Sequence, residues 1–215
     1  MKFCLSLLFF SASTLTYSQS NKGNIHFDIN GGLNIFSQES NFSADESIGA
    51  ATKVIGVNGS YFIQPGLSLG LKFNHHVFFT EEDNDSTTNV TDARASTLMF
   101  TTAYHIIDRA KFIWYGSVAM GVSQLKISLE HPPSESEGYA ELNGLSYGIE
   151  TGIKKYFNNW IGMNFSVGFN NHRLQFSYIE VEGNEIEYLR LRKVDASRVN
   201  YFGPEMKLGL SFRIN

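Results

Sequence analysis

The chain has 215 residues, with 17 lysines and arginines against 21 aspartates and glutamates, 42% apolar residues and one cysteine. The acidic balance disfavours nucleic acid as a partner, and the absence of any run of eighteen apolar residues, with a slightly negative mean hydropathy, excludes helical membrane spans. A β-barrel can still hide in such a composition, because its lipid-facing and interior residues average out along each strand.

Met1 and Lys2 precede an apolar run from Phe3 to Phe10, after which Ser11 to Gln19 is small and polar. Thr16 and Ser18 stand three and one residues before a cut at Gln19, so residues 1–18 read as a cleaved export signal and 19–215 as one domain. The apolar core is too short to cross a bilayer. Cys4 precedes that core, which does not suit a lipoprotein, and it would leave with the signal. The mature chain would then hold no disulfide, thiolate metal site or cysteine nucleophile.

Eight segments with period-two alternation follow. In Ile25 to Ile35, Ile25, Phe27, Ile29, Leu33 and Ile35 oppose His26, Asp28, Asn30 and Asn34. The second, Lys53 to Ile63, places Ile55, Val57, Tyr61 and Ile63 on one face. The third, Leu67 to Phe79, sets Leu69, Leu71, Phe73 and Val77 against Gly70, Lys72, Asn74 and His76. Ala95 to Ile107 and Phe112 to Val122 carry Leu98, Phe100 and Tyr104, then Trp114, Val118 and Met120. In Leu142 to Phe157, Leu145, Tyr147, Ile149 and Ile153 oppose Ser146, Glu150 and Lys154; Trp160 to Asn170 interleaves Met163, Phe165 and Val167 with Asn164, Ser166 and Gly168. The last segment is Tyr201 to Ile214. Each is how a strand reads when its two faces meet different environments.

Connections alternate too. Residues 64–66, 108–111 and 158–159 are short and turn-forming, whereas 36–50, 80–94, 130–141 and 171–200 are long. Short turns at one end and long loops at the other predict an all-β fold: an eight-stranded antiparallel up-and-down transmembrane β-barrel, preceded by a cleaved signal peptide, with both termini on the periplasmic side. A soluble eight-stranded barrel of the lipocalin type also alternates, but turns its apolar face inward. Gly, Ser and Asn dominate the polar faces here, which suits a narrow interior better than a solvated exterior. Aromatic girdles are expected at Phe112, Trp114, Phe157 and Trp160 beside the turns, and at Phe36, Phe79, Phe169 and Tyr201 beside the loops.

At the C-terminal end Lys207, Gly209, Phe212 and Ile214 stand in the order polar, glycine, apolar, apolar, which resembles the insertion signal of outer-membrane β-barrels; Asn215 follows where such chains usually stop. Together the leader, the eight strands and this signature resemble the small Gram-negative outer-membrane β-barrel proteins, including porin-family, OmpA-like transmembrane and OmpX-like barrels. The resemblance spans the mature chain, with no peptidoglycan-binding domain after the last strand. It implies an outer-membrane location, lipid as surroundings, the barrel-assembly machinery as a partner during insertion, and a monomer.

The interior parity carries Asp28, Lys72, Glu150, Lys154, Glu205, Lys207 and Arg213. Buried charges need partners. An ion pair between Asp28 and Arg213 is expected where the first and last strands meet, and a second cluster around Lys72, Glu150 and Lys207 nearer mid-height. An eight-stranded interior can be filled by side chains, so this network is expected to plug the barrel, with a narrow ion or solute channel as the alternative.

Of the 21 acidic residues, 17 fall in the long loops: Glu39, Asp45 and Glu46; Glu81, Glu82, Asp83, Asp85 and Asp92; Glu130, Glu135, Glu137 and Glu141; Glu180, Glu182, Glu185, Glu187 and Asp195. This crown reads as a solvated surface. The stretch Glu81 to Ser86 is its best divalent-cation candidate, but lacks the glycine and terminal glutamate of a calcium loop, so no metal or cofactor is assigned. In the fourth loop, Leu174 to Val181 and Ile186 to Leu191 flank Gly183 as a projecting hairpin. OmpX-like barrels carry such a sheet, which implies adhesion or capture of an extracellular protein. Lipid-modifying enzymes also exist on small barrels, but His75, His105, His131 and His172 show no nucleophile pairing of that kind, and no catalytic residue is assigned. The sequons at Asn41 and Asn89 carry little weight in an exported bacterial chain.

Overall fold

The alternating segments pair side by side, each with its neighbour in the chain, because an antiparallel hairpin is the shortest way to satisfy their backbone groups. The computed structural model describes residues 22–40, 48–79, 89–131, 136–181, 184–185 and 198–214. The strands are β1 (Ile25–Ser40), β2 (Ile48–Gln64), β3 (Leu67–Phe78), β4 (Asn89–Arg109), β5 (Phe112–His131), β6 (Ser136–Tyr156), β7 (Ile161–Val181), the two-residue β8 (Asn184–Glu185) and β9 (Arg198–Ile214). β1 pairs with β9 from Ile25 opposite Ile214 to Ser40 opposite Val199, and β7 pairs with both β6 and β9. The eight long strands therefore close into a ring, which leaves no open edge at membrane depth.

The leader expected over residues 1–18 and Cys4, the acidic stretch Glu81 to Ser86, the returning limb Ile186 to Leu191 and Asn215 lie outside the described residues.

Turns at 65–66, 110–111 and 157–160 stand at the end where β1 begins and β9 stops. Gly66 has φ +79°, which follows the fixed φ of Pro65 in a turn that only glycine accommodates without strain. Asn158 caps the last of these turns, its Oδ1 accepting from the Trp160 and Ile161 amides at 2.9 and 2.8 Å.

Apolar parity faces outward. Ile55 and Met120 are each 66% exposed and Leu145 63%, the reverse of a lipocalin-type barrel. On β5 this belt runs from Phe112 to Val122, roughly 33 Å of strand at ~3.3 Å per residue, which at a tilt of about 40° spans about 25 Å, the height of a hydrocarbon core. Phe112, Trp114, Phe157 and Trp160 are exposed at the turn-end rim, with Phe79 and Phe169 toward the loops. Phe36 and Tyr201 are not part of that girdle: they are 2% and 7% exposed and point into the lumen. Each keeps the interior parity of its strand, and beyond the belt that face is apolar.

The strands are also longer than their apolar alternation. β4 begins at Asn89, β5 reaches His131, β6 begins at Ser136 and β7 reaches Val181, whereas β3 stops at Phe78. Outward side chains cease to be apolar at the end of the belt, but backbone pairing needs no apolar side chain and continues past it. β4 to β7 thus project as a four-stranded sheet beyond the rim of β3.

Candidate functional site

From the turn end upward, the lumen is filled in layers. Phe62 lies between two buried histidines, with ring centroids 4.7 Å from His26 and 4.5 Å from His105. His105 Nε2 is 3.1 Å from Ser68 Oγ. Ile113, Tyr115 and Tyr156 pack beside them, and Tyr156 Oη is 2.9 Å from Ser211 Oγ. The Arg213 guanidinium lies 4.2 Å from the Tyr156 ring centroid and donates to the Ala110 carbonyl at 3.3 Å.

The expected Asp28–Arg213 pair is replaced by another. Lys154 Nζ stands 2.9 and 2.8 Å from the two oxygens of Asp28, and Asn58 donates to the same carboxylate at 3.3 Å. In the β1–β9 register His26 faces Arg213 and Asp28 faces Ser211, so Arg213 sits two residues nearer the mouth, over Tyr156. Lys154 reaches Asp28 across the lumen instead.

Above it, Lys72, Glu150, Glu205 and Lys207 meet at mid-height. Glu150 Oε2 is 2.8 Å from Lys72 Nζ and 2.7 Å from Lys207 Nζ; Glu205 is 2.6 Å from Lys207 and 3.7 Å from Lys72. Tyr115 donates to the other Glu150 oxygen at 3.0 Å. These lysines and Lys154 balance Asp28, Glu150 and Glu205, as a low-dielectric interior requires. Lumen-facing glycines such as Gly148, Gly152 and Gly168 leave room for the long side chains in so narrow a ring.

The next layer is neutral. His172 Nδ1 is 2.7 Å from Ser146 Oγ and 3.0 Å from Ser123 Oγ, and the two hydroxyls touch each other. His172 Nε2 has no partner among the described residues, so no carboxylate orients it as a triad would require. His75, on the outer face, is 3.0 Å from Ser96 Oγ.

Over this layer lies a plug that the sequence reading did not assemble. Phe36, Leu125, Ala140, Leu142, Leu174, Val199 and Tyr201 form a buried apolar cluster joined by Phe78, Ala95, Ile127 and Phe176. The available signal was the continuation of interior parity past each predicted strand end: Phe36 follows Asn34, Leu125 follows Ser123, and Leu174 follows His172.

The residues of the insertion signature divide between the faces. Lys207 is buried in the charged cluster, Phe212 packs toward Phe27 with centroids 6.4 Å apart, and Ile214 is exposed. Gly209 faces the lumen with the Ile29 carbonyl where a Cβ would stand. Of the acidic residues expected in loops, Glu39, Asp92, Glu130, Glu137, Glu141 and Glu180 stand on strand extensions, and Glu185 on β8. Beyond the belt, hydrogen bonds from Asn143 at 3.0 Å and Gln124 at 2.8 Å hold the Glu141 carboxyl below the usual carboxylate range, against the opposing effect of partial burial.

No protein-family model and no curated protein matches this chain. Solved structures do match in fold. The Ail attachment invasion locus protein of Yersinia pestis is 13% identical with a TM-score of 0.51, covering 90% of this chain and 99% of its own. The outer membrane protein OprG of Pseudomonas aeruginosa is 12% identical with a TM-score of 0.57, covering 92% and 99%. Neisserial surface protein A is 12% identical with a TM-score of 0.51, covering 86% and 96%. The closed ring, its outward apolar belt and these likenesses define a small β-barrel of the outer-membrane type.

Proposed function

We propose that the protein is an outer-membrane barrel, exported by the leader at residues 1–18, inserted by the barrel-assembly machinery and monomeric. In this reading its filled lumen is an anchor, and the projecting sheet with its acidic loops contacts an extracellular protein. The observation that carries it is the difference in strand length: β4 to β7 have 21, 20, 21 and 21 residues, whereas β1, β2, β3 and β9 have 16, 17, 12 and 17. A barrel needs no such extension to span a bilayer, and an extended sheet offers backbone and side chains to a partner. The attachment protein Ail shares the fold.

A narrow ion path is the second reading, favoured by the line of buried charges from Asp28 to Glu205. Planar-bilayer recording of the refolded protein separates the two. The anchor reading expects silence from a barrel whose heat-dependent gel mobility shows insertion; currents that change in Lys72→Ala or Glu150→Ala would replace it with the channel. Cells displaying a variant with residues 129–138 replaced by a short turn are expected to adhere less to surfaces coated with extracellular-matrix protein than cells displaying the full sheet. Equal adhesion would refute the contact role.

A further inference from the structure

Outward-facing charges just beyond the apolar belt differ around the ring. On β4 to β6 they are neutralised: Arg94 is 2.9 Å from Asp92, and Lys126 is 4.0 Å from Glu141. On β7 and β9, Arg173 and Arg198 stand on adjacent strands, Arg173 opposite Asn200 and Arg198 opposite Gln175. Both are exposed, and neither has a carboxylate partner among the described residues. They border a groove of about 550 Å³ shared with Asn143, Leu145, Gln175 and Asn200. Toward the membrane lies apolar surface: the Tyr147 ring, 5.5 Å from the Arg173 guanidinium, and the Phe169–Phe202 pair with centroids 6.2 Å apart.

We propose that this groove binds the phosphate of an anionic membrane lipid. The two guanidiniums would meet the phosphate oxygens, for which their planar forks are matched, while Asn200 supplies a neutral donor. The acyl chains would descend over Tyr147, Phe169 and Phe202. The height selects a lipid over a free anion: polar headgroups lie where the belt ends, and the adjoining aromatics suit the interface. The inference rests on the belt being lipid-facing, as the proposed function has it.

Native mass spectrometry of the folded protein released from mixed micelles tests it, with phosphatidylglycerol and the uncharged digalactosyl diacylglycerol as probes. Wild type is expected to retain one phosphatidylglycerol about tenfold more than the galactolipid, the scale of one or two charge-assisted contacts. Arg173→Gln with Arg198→Gln should reduce retention to the galactolipid level, whereas Arg94→Gln with Lys126→Gln should leave it unchanged. Arg173→Lys, which keeps the charge but not the fork, should fall between. Equal retention of the two lipids, retention unaffected in the double arginine variant, or displacement by millimolar inorganic phosphate would overturn the proposal. Failure of the lipid-facing reading itself would show separately, as a wild-type protein with no heat-modified folded form in any lipid.

Discussion

Lys154 on β6 reaches across the lumen to Asp28 on β1, with Nζ 2.8 Å from Oδ2 and both side chains 3% exposed. The two strands are not neighbours in the ring, since β7 and β9 stand between them on one side and β2 to β5 on the other. The pair is therefore a transverse tie that forms only when the barrel has closed.

Removing one end of that tie leaves an unpaired buried charge. Lys154→Ala or Asp28→Asn is expected to destabilise the barrel by about 3–5 kcal/mol, whereas Lys154→Met combined with Asp28→Leu should cost much less than the sum, because no uncompensated charge remains. Urea unfolding in lipid vesicles, followed by tryptophan fluorescence, measures both.

Arg213→Ala should be milder. It removes a cation–π contact worth about 0.5–2 kcal/mol and a bond to the Ala110 carbonyl, but not the partner of Asp28. A double-mutant cycle between Asp28 and Arg213 should give additive effects within about 0.5 kcal/mol. Coupling well above that would contradict the assigned partners.

Val118 is 57% exposed near the centre of the β5 belt. Val118→Arg is expected to cost about 2–4 kcal/mol in a bilayer, the penalty for a cation on the lipid face near the midplane. Refolding yields compared with Arg substitution at exposed Asn143, beyond the belt, would check it; equal cost at both positions would speak against a lipid-facing surface.

Leu125 is 1% exposed in the loop-end plug. Leu125→Ala should lower stability by about 2–5 kcal/mol, as in other buried leucine truncations, although the residue lies beyond the lipid-facing part of β5. A change near zero in the same unfolding assay would mean that the plug contributes no packing.

Gly209 faces the lumen at the β1–β9 seam, where a Cβ would meet the Ile29 carbonyl. Gly209→Val is expected to hinder closure of the ring and reduce the heat-modified folded band more than Gly59→Val, since nothing lies within 4 Å of a Cβ at Gly59. Comparable folded bands would remove the seam from the account.

Alternation sorted the residues of each strand onto two faces, because successive side chains must point to opposite sides of a strand, and the small polar residues Gly, Ser and Asn marked one of those faces as the narrow interior. Met120, Leu145 and Ile149 on one face, and Asp28, Lys72 and Glu150 on the other, were assignable without coordinates. The turns were legible for an equally local reason: Pro65 with Gly66, and Asn158 beside Asn159, restrict the backbone where they stand. Partnership across the lumen is not local. It depends on how many strands close the ring, how each register is staggered and how far a lysine side chain extends, so Lys154 and not Arg213 faces Asp28. The plug of Phe36, Leu125, Leu174 and Tyr201 became visible only when the strands were followed past the lipid belt. There the outward residues lose their apolar signal while backbone pairing persists, and the tertiary ring turns scattered residues of one parity into a single core.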